Sequence, residues 1–335
     1  MDLLNIMDNS NMIMYRHSDF DITALIEEYR GKQLEQLFPN QKKIENIMGQ
    51  FTEFTWEHTD FSCNIDLLKT KERLVSNLKI VYNIGEALEK RFKKRGISTL
   101  NDLKNHLRFG ESAYRIIKHI NKKAYSQLIR NNHTYDIDVS FCFDLTDFLF
   151  IDIETLGLYD SPIIMIGFGY FTDSNNFQVQ ILFANDIENE MAICEHLKNE
   201  ILPKFNCFVS YNGKSFDIPY IANRFLYFFD ENPLIHQSDT PYEDINTLYH
   251  HIDLYHNCRR TFRKDYRDFT LTNMERVLLD WRRENELPSH LVGLCYRRYK
   301  KNPERYVGLI KKSIEHNYED IRSLPLIFQK LLDTY

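Results

Sequence analysis

Between residues 67 and 130 the apolar positions recur with the period of a helix. In LLKTKERLVSNLKIVYN, Leu74, Leu78 and Val81 fall at spacings of four and three, on one helical face. NIGEALEKRFKKRG and ISTLNDLKNHL follow. Ser98 or Thr99 is placed to cap the last of these helices, with Asp102 in its first turn. ESAYRIIKHINKKAYSQLI is again helical in spacing, and polar NNHTYD, residues 131–136, reads as a linker.

From about residue 145 the period shortens. FLFIDIE predicts a strand, SPIIMIGFGYF a second behind a Ser-Pro turn, and NNFQVQILFA, alternating in its first half, a third. IENEMAICEHLKNEILPKF, Ile187 to Phe205, predicts an amphipathic helix and NCFVSYNG a fourth strand. DIPYIANRFLYFF reads as a helix, HHIDLYHNC holds a fifth strand, and nearly everything after Arg267 is helical. Three successive strands before the first long helix predict an α/β fold, with a mixed sheet that opens as a meander and continues by crossovers. Residues 1–65 resist assignment. DITALIEEYRGKQLEQLF has helical spacing and FTEFTWEHTDF is rich in aromatics, so this stretch is expected to be an irregular lead-in packed on its neighbour.

Composition adds three constraints. At 335 residues, 43% of them hydrophobic, the chain can build two or three domains with real cores. Its net charge of -6 says nothing for a nucleic-acid partner, but the stretch from Lys69 to Arg130 carries 16 Lys or Arg against 5 Asp or Glu, a local balance of +11. The six cysteines are dispersed without a CxxC, which suggests neither a zinc knuckle nor a disulfide framework. MDLLNIMDNSNM lacks the order of a signal peptide, and no apolar run approaches the roughly 20 residues that span a bilayer. A soluble cytoplasmic protein without a membrane partner is expected.

The candidate chemistry begins inside the first strand. Asp152 and Glu154 are two apart, so on a strand they share a face, about 6–7 Å from one another along the backbone. Phe148, Phe150, Ile151 and Ile153 make that strand a buried one, although a solvated pair at an exposed strand end is the ordinary alternative. Two like charges on one face raise each other's pKa unless a cation lies between them. A divalent ion is the natural counterion, and oxygen-only ligation favours magnesium or manganese.

In VSYNGKSFDIPY, Asp217 follows a strand end and a turn at Asn212-Gly213. It either caps the next helix or contributes to a site at the strand C-termini. Asn212 either serves the turn or orients a substrate oxygen, and Lys214 is within the same loop. In IEHNYEDIRSL, His316 and Asp320 are four apart and share a helical face, either as a surface pair or as part of the same site. Asp253 is a strand-end charge or a supporting acid. Arg259, Arg260, Arg263, Lys264 and Arg267 form a basic cluster suited to backbone phosphates or to a solvated face.

Taken together these motifs resemble the DEDD exonucleases of the ribonuclease H-like fold. Asp152-Ile-Glu154-Thr155 is similar to the first family motif, Asn212, Phe216 and Asp217 to the second, and His316 with Asp320 to the third. The forms YNGKSFD, HIDLYHNCRR and HNYEDIRSL resemble the YprB-type ribonuclease H-like proteins of bacteria and archaea, over residues 145–335. The resemblance implies a metal-dependent 3′-to-5′ exonuclease acting on DNA or RNA, gripped mainly by its phosphate backbone. Asp152, Glu154, Asp217 and Asp320 would hold two Mg²⁺ or Mn²⁺ ions, and His316 would deprotonate or position the attacking water. Thr155, Asn212, Lys214, Arg259 and Arg260 would contact substrate. The chain departs from the family in one respect: its histidine stands at the spacing of the tyrosine branch. A catalytically inactive nucleic-acid-binding protein of the same fold is the alternative. Residues 67–130, with Asn83-Ile84-Gly85 in place of Gly-x-Gly, resemble a helix-hairpin-helix unit, which implies a small all-helical nucleic-acid-binding domain before the α/β domain.

Overall fold

A computed structural model describes residues 22–234 and 249–334. The segment MDLLNIMDNSNM lies outside the described residues, as does Asp21 at the head of the first helical pattern. In chain order come α1 (Ile22–Tyr29), β1 (Lys42–Asn46), β2 (Gly49–His58), α2 (Leu68–Ser76), α3 (Glu86–Lys94) and α4 (Gly110–Asn121). There follow β3 (Phe148–Thr155), β4 (Ile163–Phe171), β5 (Phe177–Phe183), α5 (Glu190–His196), β6 (Cys207–Ser210) and α6 (Asp217–Phe229). The chain closes with β7 (His250–Asp253), α7 (Leu254–Phe262), α8 (Leu271–Leu279), α9 (Val292–Lys301) and α10 (Pro303–Leu332).

The strands form one mixed sheet in the order β1-β2-β5-β4-β3-β6-β7. β1 to β5 pair antiparallel; β6 and β7 join in parallel, β6 beside β3. The expected meander of β3, β4 and β5 and the later crossovers are present, with helices on both faces. The lead-in is the surprise. Residues 42–58 are not irregular but a hairpin that extends the sheet, with Trp56 opposite Val179 and Phe54 opposite Ile181. No helix among the described residues is long and apolar enough to cross a membrane.

β3 explains how the sheet carries a site. Its odd positions Leu149, Ile151 and Ile153 pack against Ile193, Leu197, Ile221 and Phe225 on one face. Its even positions Phe148 and Phe150 pack against Ile321, Leu324 and Phe328 of α10 on the other. Strand alternation then puts Asp152 and Glu154 on the α10 face, immediately beyond two phenylalanines. Opposite Asp152 in the register stands Gly167. A Cβ there would lie 2.1 Å from Asn317 Oδ1, so glycine is what lets α10 rest directly on the sheet.

Residues 67–130 make a helical layer whose core also takes in Val139 and Phe141. Leu74, Leu78 and Val81 are all buried in it with Ile84, Phe92 and Leu100. The single helix expected there breaks at Asn77, where α2 gives way to a 3₁₀ turn at Leu78–Ile80. Thr99 caps the one-turn helix Leu100–Leu103, accepting from the Asp102 amide at 3.2 Å while Asp102 Oδ2 accepts from the Thr99 amide at 2.8 Å. Asn83 adopts φ 67° and Gly85 precedes α3. The segment read as a linker ends in a buried residue: Asp136 opens a 3₁₀ helix (Asp136–Cys142) that packs under the sheet edge.

Candidate metal centre

Asp217 is the first residue of α6, and its placement is built from β6 and β7. Asn212 takes a left-handed conformation, φ 65°, after β6. Fully buried Asp253, at the end of β7, accepts from the amides of Asn212 (2.9 Å), Lys214 (3.1 Å) and Tyr255 (3.1 Å). One carboxylate thus ties the turn to the N-terminus of α7, which satisfies donors that would otherwise be orphaned. Asp253 is therefore a capping and turn-holding acid. With the turn fixed, Asp217 Oδ1 reaches β3 and accepts from the Ile153 amide at 3.0 Å, between Asp152 and Glu154 in sequence.

α10 brings the remaining groups. Asn317 Nδ2 donates to Asp152 Oδ2 at 2.7 Å. His316 Nε2 lies 3.7 Å from Glu154 Oε1 and 3.5 Å from Asp320 Oδ2. Glu154, His316 and Asp320 each offer a ligand atom within 4.8 Å of the others. Ser289 Oγ is 3.1 Å from His316 Nε2, and His316 Nδ1 is buried without a hydrogen-bond partner.

The electrostatics are those of a crowded carboxylate patch. Burial, then repulsion from Asp217, Asp320 and Glu154, pushes Asp152 well above the ordinary carboxylate range. Burial followed by Asp320 and Asp217 does the same to Glu154. Burial is also the main reason that Asp217 rises to about 7, against the pull of the Ile153 amide. Burial lowers the pKa of His316, Asp320 opposing, so the imidazole is neutral near pH 7. Among the described residues no lysine or arginine pairs with Asp152, Glu154 or Asp217, while Arg283 pairs with Asp320 at 2.6 Å. Three of the four acids thus lack a cationic partner, and oxygen donors that repel one another suit a hard divalent cation. The residues present fit such an ion.

The other expected contacts divide. Asn212 and Arg259 line a cleft of about 810 Å³ together with His316, Asp320, Arg263 and Arg267. Arg260, its neighbour on α7, turns the other way. It lies over the Tyr135 ring, 3.6 Å from the centroid, and lines a different cleft. One residue along a helix rotates the side chain by about 100°, which is why Arg259 and Arg260 line different clefts. Lys214 is joined to buried Asp136, and the Thr155 hydroxyl donates to the Gly157 carbonyl at 2.7 Å. Sequence reasoning passed over Asn317, Ser289, Gly167 and Arg283. Two glycines alternating in IIMIGFGYF were the one available sign that a helix lies close against that strand.

The family model of the RNase_H superfamily matches residues 149–332. The uncharacterized protein YprB of Bacillus subtilis (strain 168) is 26% identical over 185 residues, 54% of this chain and 41% of YprB. The match thus spans less than half of that relative's length.

Proposed function

The chain belongs to the RNase_H superfamily, which points to nuclease-type activity on nucleic acid, and from that premise we propose that it is a metal-dependent 3′-to-5′ exonuclease. Asp152, Glu154, Asp217 and Asp320 would hold two Mg²⁺ or Mn²⁺ ions. The observation that carries this reading is the α10 face of β3, where a run of buried phenylalanines turns into two acids at the point reached by Asp217 and Asp320. When bound, the ions polarise a phosphodiester and lower the pKa of an attacking water.

The protein's own groups do the rest. Asn317 fixes the rotamer of Asp152 through Oδ2. His316, kept neutral by burial, orients the water and accepts its proton at Nε2. Asn212 and Arg259, in the cleft beside His316, hold the sugar-phosphate backbone of the strand end, and Arg263 and Arg267 extend that basic wall. Direction and end preference come from the resemblance to the DEDD exonucleases. The helical layer of residues 67–130 would add phosphate contacts through its turn at Asn83-Ile84-Gly85 and its basic balance.

The test is incubation of end-labelled DNA and RNA with the purified protein in Mn²⁺ and then in excess EDTA. Loss of full-length substrate in Mn²⁺ alone supports the reading. Cleavage that survives EDTA, or none under either condition, overturns it.

A further inference from the structure

Arg283 is a buried cation that the reading above does not use. Its side chain is 1% exposed and follows α8, in the segment that leads to α9. A bidentate pair joins it to fully buried Glu275 of α8, Nε donating to Oε2 at 2.7 Å and Nη2 to Oε1. The third arm, Nη1, lies 2.6 Å from Asp320 Oδ1. Asp320 Oδ2 is the oxygen that faces His316 Nε2, at 3.5 Å. The two oxygens of this acid therefore have separate environments. One is held by a guanidinium; the other is turned toward Glu154 and His316.

We propose that Arg283 is a positioning residue for the metal centre: it occupies Oδ1 of Asp320 permanently and presents Oδ2 alone as the metal ligand. This rests on the metal-site reading above. The guanidinium is planar and offers its donors in a fixed fork, so anchoring two of them on Glu275 fixes the direction of the third. Glu275 also neutralises it. Asp320 Oδ1 therefore gains a close ion-pair partner held in a fixed place, and Asp320 keeps its negative charge for the ion, instead of having that charge cancelled by a free cation. Nor can the arginine swing aside to release Oδ1, because leaving Glu275 would strand two opposite charges in the interior. The surrounding segment is tied to α10 at several further points: Arg322 lies over the Trp281 ring at 4.9 Å, Lys312 Nζ donates to the Glu284 carbonyl at 3.1 Å, and Ser289 meets His316. The strap from Trp281 to Ser289 thus acts as a splint along the helix that carries Asp320.

The experiment is Mn²⁺ binding by calorimetry and electron paramagnetic resonance on wild type, Arg283→Gln and Arg283→Lys, with unfolding curves of each to establish that they are folded. Removing a partner that orients a metal ligand weakens binding by roughly 10–100-fold. The expected result is a loss in that range for Arg283→Gln, with partial recovery in Arg283→Lys, which restores the charge without the fork. A folded Arg283→Gln that binds Mn²⁺ as tightly as wild type, or more tightly, overturns the proposal; the latter would make Arg283 a competitor of the ion. Failure of wild type itself to bind Mn²⁺ overturns the metal-site reading instead. A second measurement needs no variant. In ¹⁵N-arginine-labelled wild type, the slowly exchanging guanidinium protons of Arg283 should persist when Mg²⁺ saturates the site. Their loss on Mg²⁺ addition would show that the guanidinium leaves Asp320, and the proposal would fall.

Discussion

Replacing Gly167 by alanine should unseat the hydrogen bond that holds Asp152. The added Cβ would lie 2.1 Å from Asn317 Oδ1 and 2.8 Å from its Cγ, closer than van der Waals contact permits. Asn317 is fully buried, so either its amide rotates away from Asp152 or α10 lifts from the sheet. Overpacking of this kind costs about 1–3 kcal/mol. Losing the 2.7 Å bond to a carboxylate adds about 1.5–3 kcal/mol. The reduced freedom of alanine in the unfolded chain returns about 0.4–1 kcal/mol. The net expectation is a loss of about 1.5–5.6 kcal/mol, read by urea unfolding of the metal-free protein. A double-mutant cycle with Asn317→Ala separates the contact from general strain, because shortening Asn317 makes the room that the new methyl needs. The pair should couple by about 1 kcal/mol or more, Gly167→Ala costing less in the Asn317→Ala background. Additivity within about 0.5 kcal/mol, or a neutral Gly167→Ala, would refute the claim that this glycine exists to seat Asn317 on Asp152.

Further expectations rest on separate groups. Burial alone would raise the pKa of Asp136, but Lys214, the Asn257 amide and the Asp253 backbone amide reverse this and hold it below its ordinary value. Its contribution to stability is thus present above the unfolded-state pKa of about 4 and is lost as pH falls through the lower folded value, so the destabilisation by Lys214→Met seen at neutral pH should shrink as pH falls below about 4. At pH 7 that variant should lose about 1–3 kcal/mol by chemical denaturation, less than a fully buried pair because Lys214 is partly exposed. Asp217 has the opposite sign: its pKa is raised to about 7, so metal-free protein should lose stability as pH rises from 5 to 7, by at most about 1.4 kcal/mol per pH unit from this group, and Asp217→Asn should flatten the slope in EDTA. Asp253→Ala strips the acceptor from the Asn212, Lys214 and Tyr255 amides and should cost about 2–4 kcal/mol by the same assay, together with most of any Mn²⁺-dependent activity.

Much of the sheet was legible because its signals are local. The alternation in FLFIDIE fixes which side chains share a face, and that parity alone puts Asp152 and Glu154 on the side where Phe148 and Phe150 meet α10. The helical period likewise marked Leu74, Leu78 and Val81 as buried. The hairpin of β1 and β2 was not legible, since its partner β5 lies more than a hundred residues away and polar-aromatic strands gain their stability from that pairing. Arg283 in WRREN reads as a surface arginine; Glu275 and Asp320, which make its burial tolerable, come from two different helices. Lys214 was expected at substrate from the resemblance of its loop, and its pairing with Asp136 was not legible because Asp136 lies at the end of a segment whose polarity resembles a linker. Local chemistry located the acids. Long-range ion pairs decided which of the surrounding cations face them.

The central claim, that the four acids form a working metal-dependent nuclease centre, meets its most direct test in Asp217→Asn. Wild type and variant, each shown to be folded, are compared on one 5′-labelled oligonucleotide in Mn²⁺. The account predicts a ladder shortened from the 3′ end for wild type and intact substrate for the variant. Equal digestion by the two proteins would contradict it.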